Sequence, residues 1–148
     1  MVDVSRDATD EEIFELVYRC VDQLASEDYD AVFESVGYAM RYDRPGAKAI
    51  RDDIQRYRSS RYFPGVEQFK VTDWRTAKGG NPTPASRITW YKPNDMGLVA
   101  AIDFDLPLNG KWSALNACFV IFQIDGGGYS LALEDIESSQ EVASEGAA

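Results

Sequence analysis

Residues 97–124 read GLVAAIDFDLPLNGKWSALNACFVIFQI, and this stretch decides the fold. Asn109-Gly110 lies in its middle, and Asn-Gly suits the left-handed backbone of a two-residue hairpin turn. Alternating apolar residues flank it, so two long antiparallel strands are predicted. If Leu108 opposes Lys111, then Phe104 faces Leu115, Ile102 faces Ala117, Ala100 faces Phe119 and Leu98 faces Ile121. One face of the hairpin is then apolar throughout. The other pairs Asp103 with Asn116, Ala101 with Cys118 and Val99 with Val120, with Phe122 and Ile124 beyond. That face is polar at one end and apolar at the other, whereas a face open to water is polar all along. A second subunit is the simplest cover for the apolar end, the alternative being the chain's own helix or tail. A homodimer through the sheet is expected.

Outward from the hairpin, Gly126-Gly127-Gly128 turns the chain into a further strand at 129–136. Upstream, strands are expected at 86–91 and at 69–74, where Phe69, Val71 and Asp73 alternate with Lys70, Thr72 and Trp74. Before Pro64-Gly65 the period changes to that of helices. Thr9 with Glu12 forms a capping box for a helix at about 10–26, with Ile13, Leu16, Val17, Cys20, Val21 and Leu24 on its apolar face. Asp28 or Asp30 caps a short second helix that Gly37 ends. A third is expected at about 47–59, with Ala47, Ile50, Ile54 and Tyr57 buried. The fold class is therefore α+β: three N-terminal helices packed on a curved antiparallel sheet of about five strands. Residues 1–8 read as an N-terminal arm, 9–136 as one domain and 137–148 as a flexible acidic tail.

Composition narrows function by exclusion. The 148 residues hold no histidine, which removes the commonest general base, the commonest zinc ligand and the usual hydrolase triad. The net charge is −10, but it is segregated. Residues 1–35 carry eleven acids and two bases, 36–95 twelve bases and six acids, and 96–148 eight acids and one base. Cys20 and Cys118 are far apart within apolar runs, so two buried free thiols and a reducing compartment are expected. Met1 to Asp10 has neither a basic nor an apolar leader region, and no apolar run reaches membrane-spanning length. A cytoplasmic protein is the expectation.

Three motifs resemble the nuclear transport factor 2-like superfamily, a cystatin-like α+β cone. Ser26-Glu27-Asp28-Tyr29-Asp30-Ala31-Val32-Phe33 resembles the g-D-x-D-a-x-x-x-l-f link between its first two helices. Gly46-Ala47-Lys48-Ala49-Ile50-Arg51 resembles the G-x-x-A-I-r start of its third, and Gly127-Gly128-Tyr129-Ser130-Leu131 its closing strands. Leu106 to Ser113 also resembles small bacterial domains of unknown function. The superfamily includes isomerases, dehydratases, polyketide cyclases and noncatalytic binding modules, so fold alone does not choose. Members resembling ketosteroid isomerase place a tyrosine on the first helix. Tyr18 is on that helix here, but its spacing to Asp28 is two residues longer, so it is not expected to enter the mouth in the same way. Histidine-dependent dehydratases are excluded.

The candidate pocket set is Tyr18, Tyr38, Arg41, Tyr42, Trp74, Arg87, Trp90, Asp103 and Asn116, with Arg44 nearby. Arginine beside aromatic rings suits a carboxylate or phosphate on an apolar body. The competing reading is core aromatics, with arginines paired to Asp43, Asp52 and Asp53. Asp103 and Asp105 share a strand face, and paired carboxylates can do acid/base work if their pKa values are pushed apart. Asp105, near the hairpin end, reads as solvated. No acidic loop has magnesium or calcium spacing, and the glycine runs lack a phosphate loop's lysine and helix, so no metal or cofactor is expected. Seven bases within 41–61 could touch phosphates, but acidic segments flank them, so nucleic acid is not an expected partner. Two functions remain in play. One is a noncatalytic binding module for a protein or small ligand, such as an inhibitor or immunity-type protein shielding a basic toxin surface. The other is an isomerase, dehydratase or cyclase using carboxylate and tyrosine chemistry in a cone pocket.

Overall fold

The computed structural model describes residues 2–38, 46–59, 61–92 and 97–138. Strand β1 spans Val2–Val4, helices α1, α2 and α3 span Asp10–Ala25, Tyr29–Val36 and Gly46–Gln55, and strands β2 to β5 span Ser86–Trp90, Leu98–Leu108, Lys111–Gln123 and Tyr129–Ser138. The five strands form one antiparallel sheet in the order β1-β5-β4-β3-β2. The architecture is α+β, with three helices and five strands among the described residues.

Local chemistry sets the helix ends. The Thr9 hydroxyl accepts from the Glu12 N–H at 3.2 Å, and the Glu12 carboxylate accepts from the Thr9 N–H at 3.2 Å. This reciprocal cap satisfies two orphan donors of α1. Asp28 Oδ1 accepts from the Ala31 N–H at 3.2 Å and starts α2, which Gly37 ends at φ 68°. Gly46 opens α3 against the Phe33 ring, where a Cβ would sit 3.0 Å from it. Helix α3 stops at Gln55 rather than near 59. The Arg58 guanidinium takes the Gln55 and Tyr57 carbonyls, while the Gln55 side chain bonds the backbone N–H and carbonyl of Phe69. The buried α3 residues are Ala49, Ile50, Asp53 and Ile54; Ala47 is half-buried, and Tyr57 is buried beyond the helix end.

The hairpin turn is as expected: Asn109 at φ 51° and Gly110 at φ 83° make the left-handed pair, and Leu108 opposes Lys111. Farther along, the register differs from the expectation. Leu106 sits opposite three residues, Ser113, Ala114 and Leu115, so Asp105 pairs with Asn116, Phe104 with Ala117 and Ile102 with Phe119. Side chains hold this bulge. Ser113 Oγ donates to the Leu106 carbonyl at 2.6 Å and accepts from the Leu115 N–H at 3.0 Å, while Tyr57 Oη accepts from the Ala114 N–H at 3.1 Å. A slip of two residues keeps each side chain on its face, because strands alternate with period two. The apolar face therefore survives from Ala100 to Phe104 with new partners, and a second shift between Leu98 and Ala100 sets Leu98 opposite Phe122.

Rows across the inner face read Ile102–Phe119–Leu133 and Phe104–Ala117–Ile136, all buried under the helices. Outer rows read Arg87–Asp103–Cys118–Asp135 and Thr89–Ala101–Val120–Ala132, polar at one end and apolar at the other. The expected strand at 69–74 is not in the sheet. That segment touches the hairpin tip through one bridge, Val71 to Leu108, and the Asn109 side chain spans it, accepting from the Lys70 N–H and donating to the Gln68 carbonyl. The fifth strand is β1, from the stretch read as an arm, paired with β5. Glu137 and Ser138 end β5, and the rest of the segment read as an acidic tail lies outside the described residues.

Candidate binding site

The described candidate residues do not converge; they fall at four places. Tyr18 and Trp74 meet. Tyr18 lies on the flank of α1 next to the buried stripe, and its ring stacks on Trp74 with centroids 3.9 Å apart and planes at 13°. Phe104 meets Tyr18 edge-on at 5.8 Å, and Trp112 meets Phe104 at 6.2 Å. Together with Pro84, Ala85 and Ser86 these rings line an open cleft of about 240 Å³. Arg75 covers the Trp74 ring at 4.5 Å and holds Asp22 of α1 through two bonds of 2.9 and 3.0 Å. The Trp74 Nε1–H is buried and has no acceptor among the described residues.

Tyr38 is elsewhere, fully buried in the core. Its hydroxyl donates to Asp53 Oδ2 at 2.5 Å and accepts from the Ile136 N–H at 3.0 Å. Burial and the Asp53 carboxylate push the phenol well above its ordinary range. Asp53, 5 % exposed, also pairs with Arg56 at 3.1 Å. The recess beside this pair holds about 100 Å³.

Arg87, Asp103 and Asn116 share the outer face, with Arg87 Nε 3.4 Å from Asp103 Oδ2. They line a recess of about 300 Å³ with Asp105 and Glu137. Asp105 corrects the expectation of a solvated group: it is 4 % exposed. Its carboxylate accepts from the Ala85 N–H at 2.8 Å, Asn116 Nδ2 at 3.0 Å and Asn81 Nδ2 at 3.3 Å. It clamps the loop before β2, and Asn116 is its partner rather than that of Asp103. Burial next to Asp135 raises the Glu137 carboxyl.

Trp90 is 47 % exposed at the end of β2, its Nε1–H donating to Asp10 Oδ1 at 3.1 Å. Arg41, Tyr42 and Arg44 lie outside the described residues. Both cysteines are free; Cys20 is buried, and Cys118 is half-buried rather than buried. Burial lifts the Cys20 thiol to about 12, and burial with Asp103 and its acidic neighbours lifts Cys118 to about 11. A further recess, about 650 Å³, mixes signs: Glu27, Arg51 and Lys70 line it, with Lys70 3.7 Å from Glu27.

Trp112, Phe104 and Asp53 stand outside the candidate set that the sequence offers. Trp112 directly follows the hairpin turn, a position that signalled only a strand start. The alternation places Phe104 in the core, and Asp53 reads as an arginine partner with no sign of its burial.

The site and fold together define a small α+β protein with helices on one sheet face and an aromatic cleft between the first helix and an edge strand. No protein-family model, curated protein or solved structure matches the chain.

Proposed function

We propose that this chain is a noncatalytic binding module of the nuclear transport factor 2-like type, dimeric through the apolar end of its outer sheet face. It recognises a protein partner or small ligand in a cytoplasmic setting, and the inhibitor or immunity-type version takes a basic partner. One observation carries the reading: the residues that acid/base chemistry would need together lie at separate places. Tyr18 stacks in an open cleft, Tyr38 is locked in the core, and Asp103 is on the opposite sheet face. The interior is filled by Tyr38, Tyr57, Phe119 and the aliphatic rows around them.

The isomerase or cyclase reading draws on one feature, the buried Tyr38–Asp53 pair. The adjoining 100 Å³ holds about three waters, whereas ligand pockets run to about 300–1,000 Å³. Affinity capture from the source organism, repeated with purified components across salt concentrations, tests the module. A basic partner whose affinity falls with salt is expected, and salt-independent binding refutes the charge argument. For the dimer, sedimentation is expected to give a dimer for the native chain and a monomer for Val120→Glu. A native monomer at high micromolar concentration refutes it.

A further inference from the structure

The edge of β2 and the flank of α1 run side by side. Trp90 bonds Asp10 at one end, and Tyr18 shares the aromatic cleft with Ser86 at the other. Eight residues of helix span about 12 Å and four of strand about 13 Å, so the two elements match in length between these two contacts and flank one groove. All three tryptophans of the chain border it: Trp90 at one end, Trp74 and Trp112 at the other.

Among the described residues, nothing pairs with the outer edge of β2. The Tyr91 N–H bonds the Val99 carbonyl, and the Asp105 N–H bonds the Ala85 carbonyl. In an antiparallel ladder hydrogen-bonded pairs alternate with non-bonded ones, so Arg87 and Thr89 also face β3. The backbone groups of Ser86, Ile88 and Trp90 therefore point outward, away from the sheet, and β2 is the terminal strand. Such an edge is a template for an added strand.

The helix wall gives the groove a charge. With 100° per residue, Glu11 and Glu15 follow Phe14 and Tyr18 around α1 on the side facing away from the buried stripe. Both are exposed, and neither has an ion pair among the described residues. Asp10 closes one end. The groove thus offers free backbone donors and acceptors, an aromatic cleft and unpaired carboxylates.

We infer that this groove binds an extended basic segment of a partner protein, which adds as a sixth strand to β2, seats an apolar side chain among Tyr18, Trp74 and Trp112, and sets lysine or arginine against Glu11 and Glu15. Arg87 and Thr89 on the opposite face make neutral residues the fit at alternate positions. The inference deepens the partner-binding reading and rests on it.

Seven-residue synthetic peptides test it, alternating threonine with inward positions that hold one phenylalanine and two lysines. Tryptophan fluorescence reports binding. Micromolar to sub-millimolar affinity is expected, weakened at least tenfold by N-methylation of the residues that pair with β2, and at least tenfold by glutamate in place of lysine. Ile88→Pro removes an outward N–H without breaking the β2–β3 ladder, and is expected to lose at least tenfold in affinity. Glu11→Lys with Glu15→Lys, two surface changes that leave the core untouched, is expected to reverse the preference between lysine and glutamate peptides. No peptide binding below 1 mM, or binding indifferent to N-methylation and to Ile88→Pro, overturns the inference. A dimer of the native chain that Ile88→Pro dissolves would give the edge to a second copy and overturn it too. If a basic partner is captured in an Ile88→Pro-insensitive way, the groove fails while the module stands; if no partner is captured at all, the module reading fails.

Discussion

Tyr38→Phe separates a structural role for the buried tyrosine from a chemical one. The change deletes one oxygen and keeps the ring. The lost contact is the 2.5 Å bond to Asp53, a charge-assisted bond within the core. Hydrogen bonds to charged groups contribute about 1.5–3 kcal/mol net. Two features hold the loss toward the middle of that range. Asp53 keeps Arg56 at 3.1 Å, and the Ile136 N–H, which Tyr38 accepts, also reaches Asp135 Oδ1 at 2.9 Å. Neither partner is orphaned, so about 2 kcal/mol is the expectation. For a chain of this size that lowers Tm by about 4–8 °C. Urea unfolding at pH 7 is the assay, with an unchanged m-value as the sign that only stability moved. The Tyr38 phenol is raised in the folded state, so its stabilisation is complete below about pH 10 and is lost as pH rises through the folded value. The gap between native and variant chains is therefore expected to narrow in strong alkali. A difference below about 0.5 kcal/mol at pH 7 with the same m-value refutes the structural role of the Tyr38 hydroxyl.

Three other expectations are direct. Gly80 has φ 77°, and a Cβ there would lie 2.2 Å from the Trp112 carbonyl, so Gly80→Ala is expected to lose more than Gly79→Ala, which has φ 76° but open space. The second change costs about 1–2 kcal/mol from backbone strain alone, and urea titration of both variants checks the ordering. Glu137 is raised in the folded state, so its ionisation works against folding at neutral pH and that penalty vanishes as pH falls below its unfolded value. Glu137→Gln is expected to raise Tm slightly at pH 7 and to leave it unchanged near pH 3. With thiols held at about 12 and about 11, alkylation at pH 8 is expected to be slow at Cys118 and negligible at Cys20 until urea unfolds the chain; rapid labelling of Cys20 in the native state contradicts its burial.

What could be read from the chain was local. Thr9 with Glu12, Asp28, Gly37 and Asn109-Gly110 act within a few residues of themselves, and each starts or ends its element as expected. The hairpin register beyond Trp112 depends on Tyr57, more than fifty positions away, whose hydroxyl takes the Ala114 N–H inside the bulge. No pattern within 97–124 contains that information. The same applies to Asp105, whose burial is made by Ala85, Asn81 and Asn116, and to residues 69–74, which alternate like a strand but are held across the hairpin tip by Asn109. Of the candidate residues, Tyr18 and Trp74 meet because both flank the apolar stripe of α1. Tyr38 and Asp103 separate because they belong to opposite sides of the sheet.

Charge segregation along the chain left two readings, self-neutralisation or a bipolar surface, and the contacts separate them. Arg75 with Asp22, Lys70 with Glu27 and Arg87 with Asp103 join the basic middle to the acidic ends. All three pairs are largely exposed, and each contributes about 0–1 kcal/mol, so they do little for the fold. Their placement matters more. Asp22 and Glu27 belong to the C-terminal end of α1 and the link after it, so the bridges neutralise that end. Glu11 and Glu15, about three and two turns before Asp22, stay outside them, beside the β2 edge, whose outward backbone groups have no partner among the described residues. Unlike charge is thereby consumed where the segment 68–75 packs against the helix and preserved where the groove is open. That distribution favours a basic ligand at the Trp90–Asp10 end and an apolar side chain at the Tyr18–Trp74 end, which fixes the order of residues the groove is expected to select.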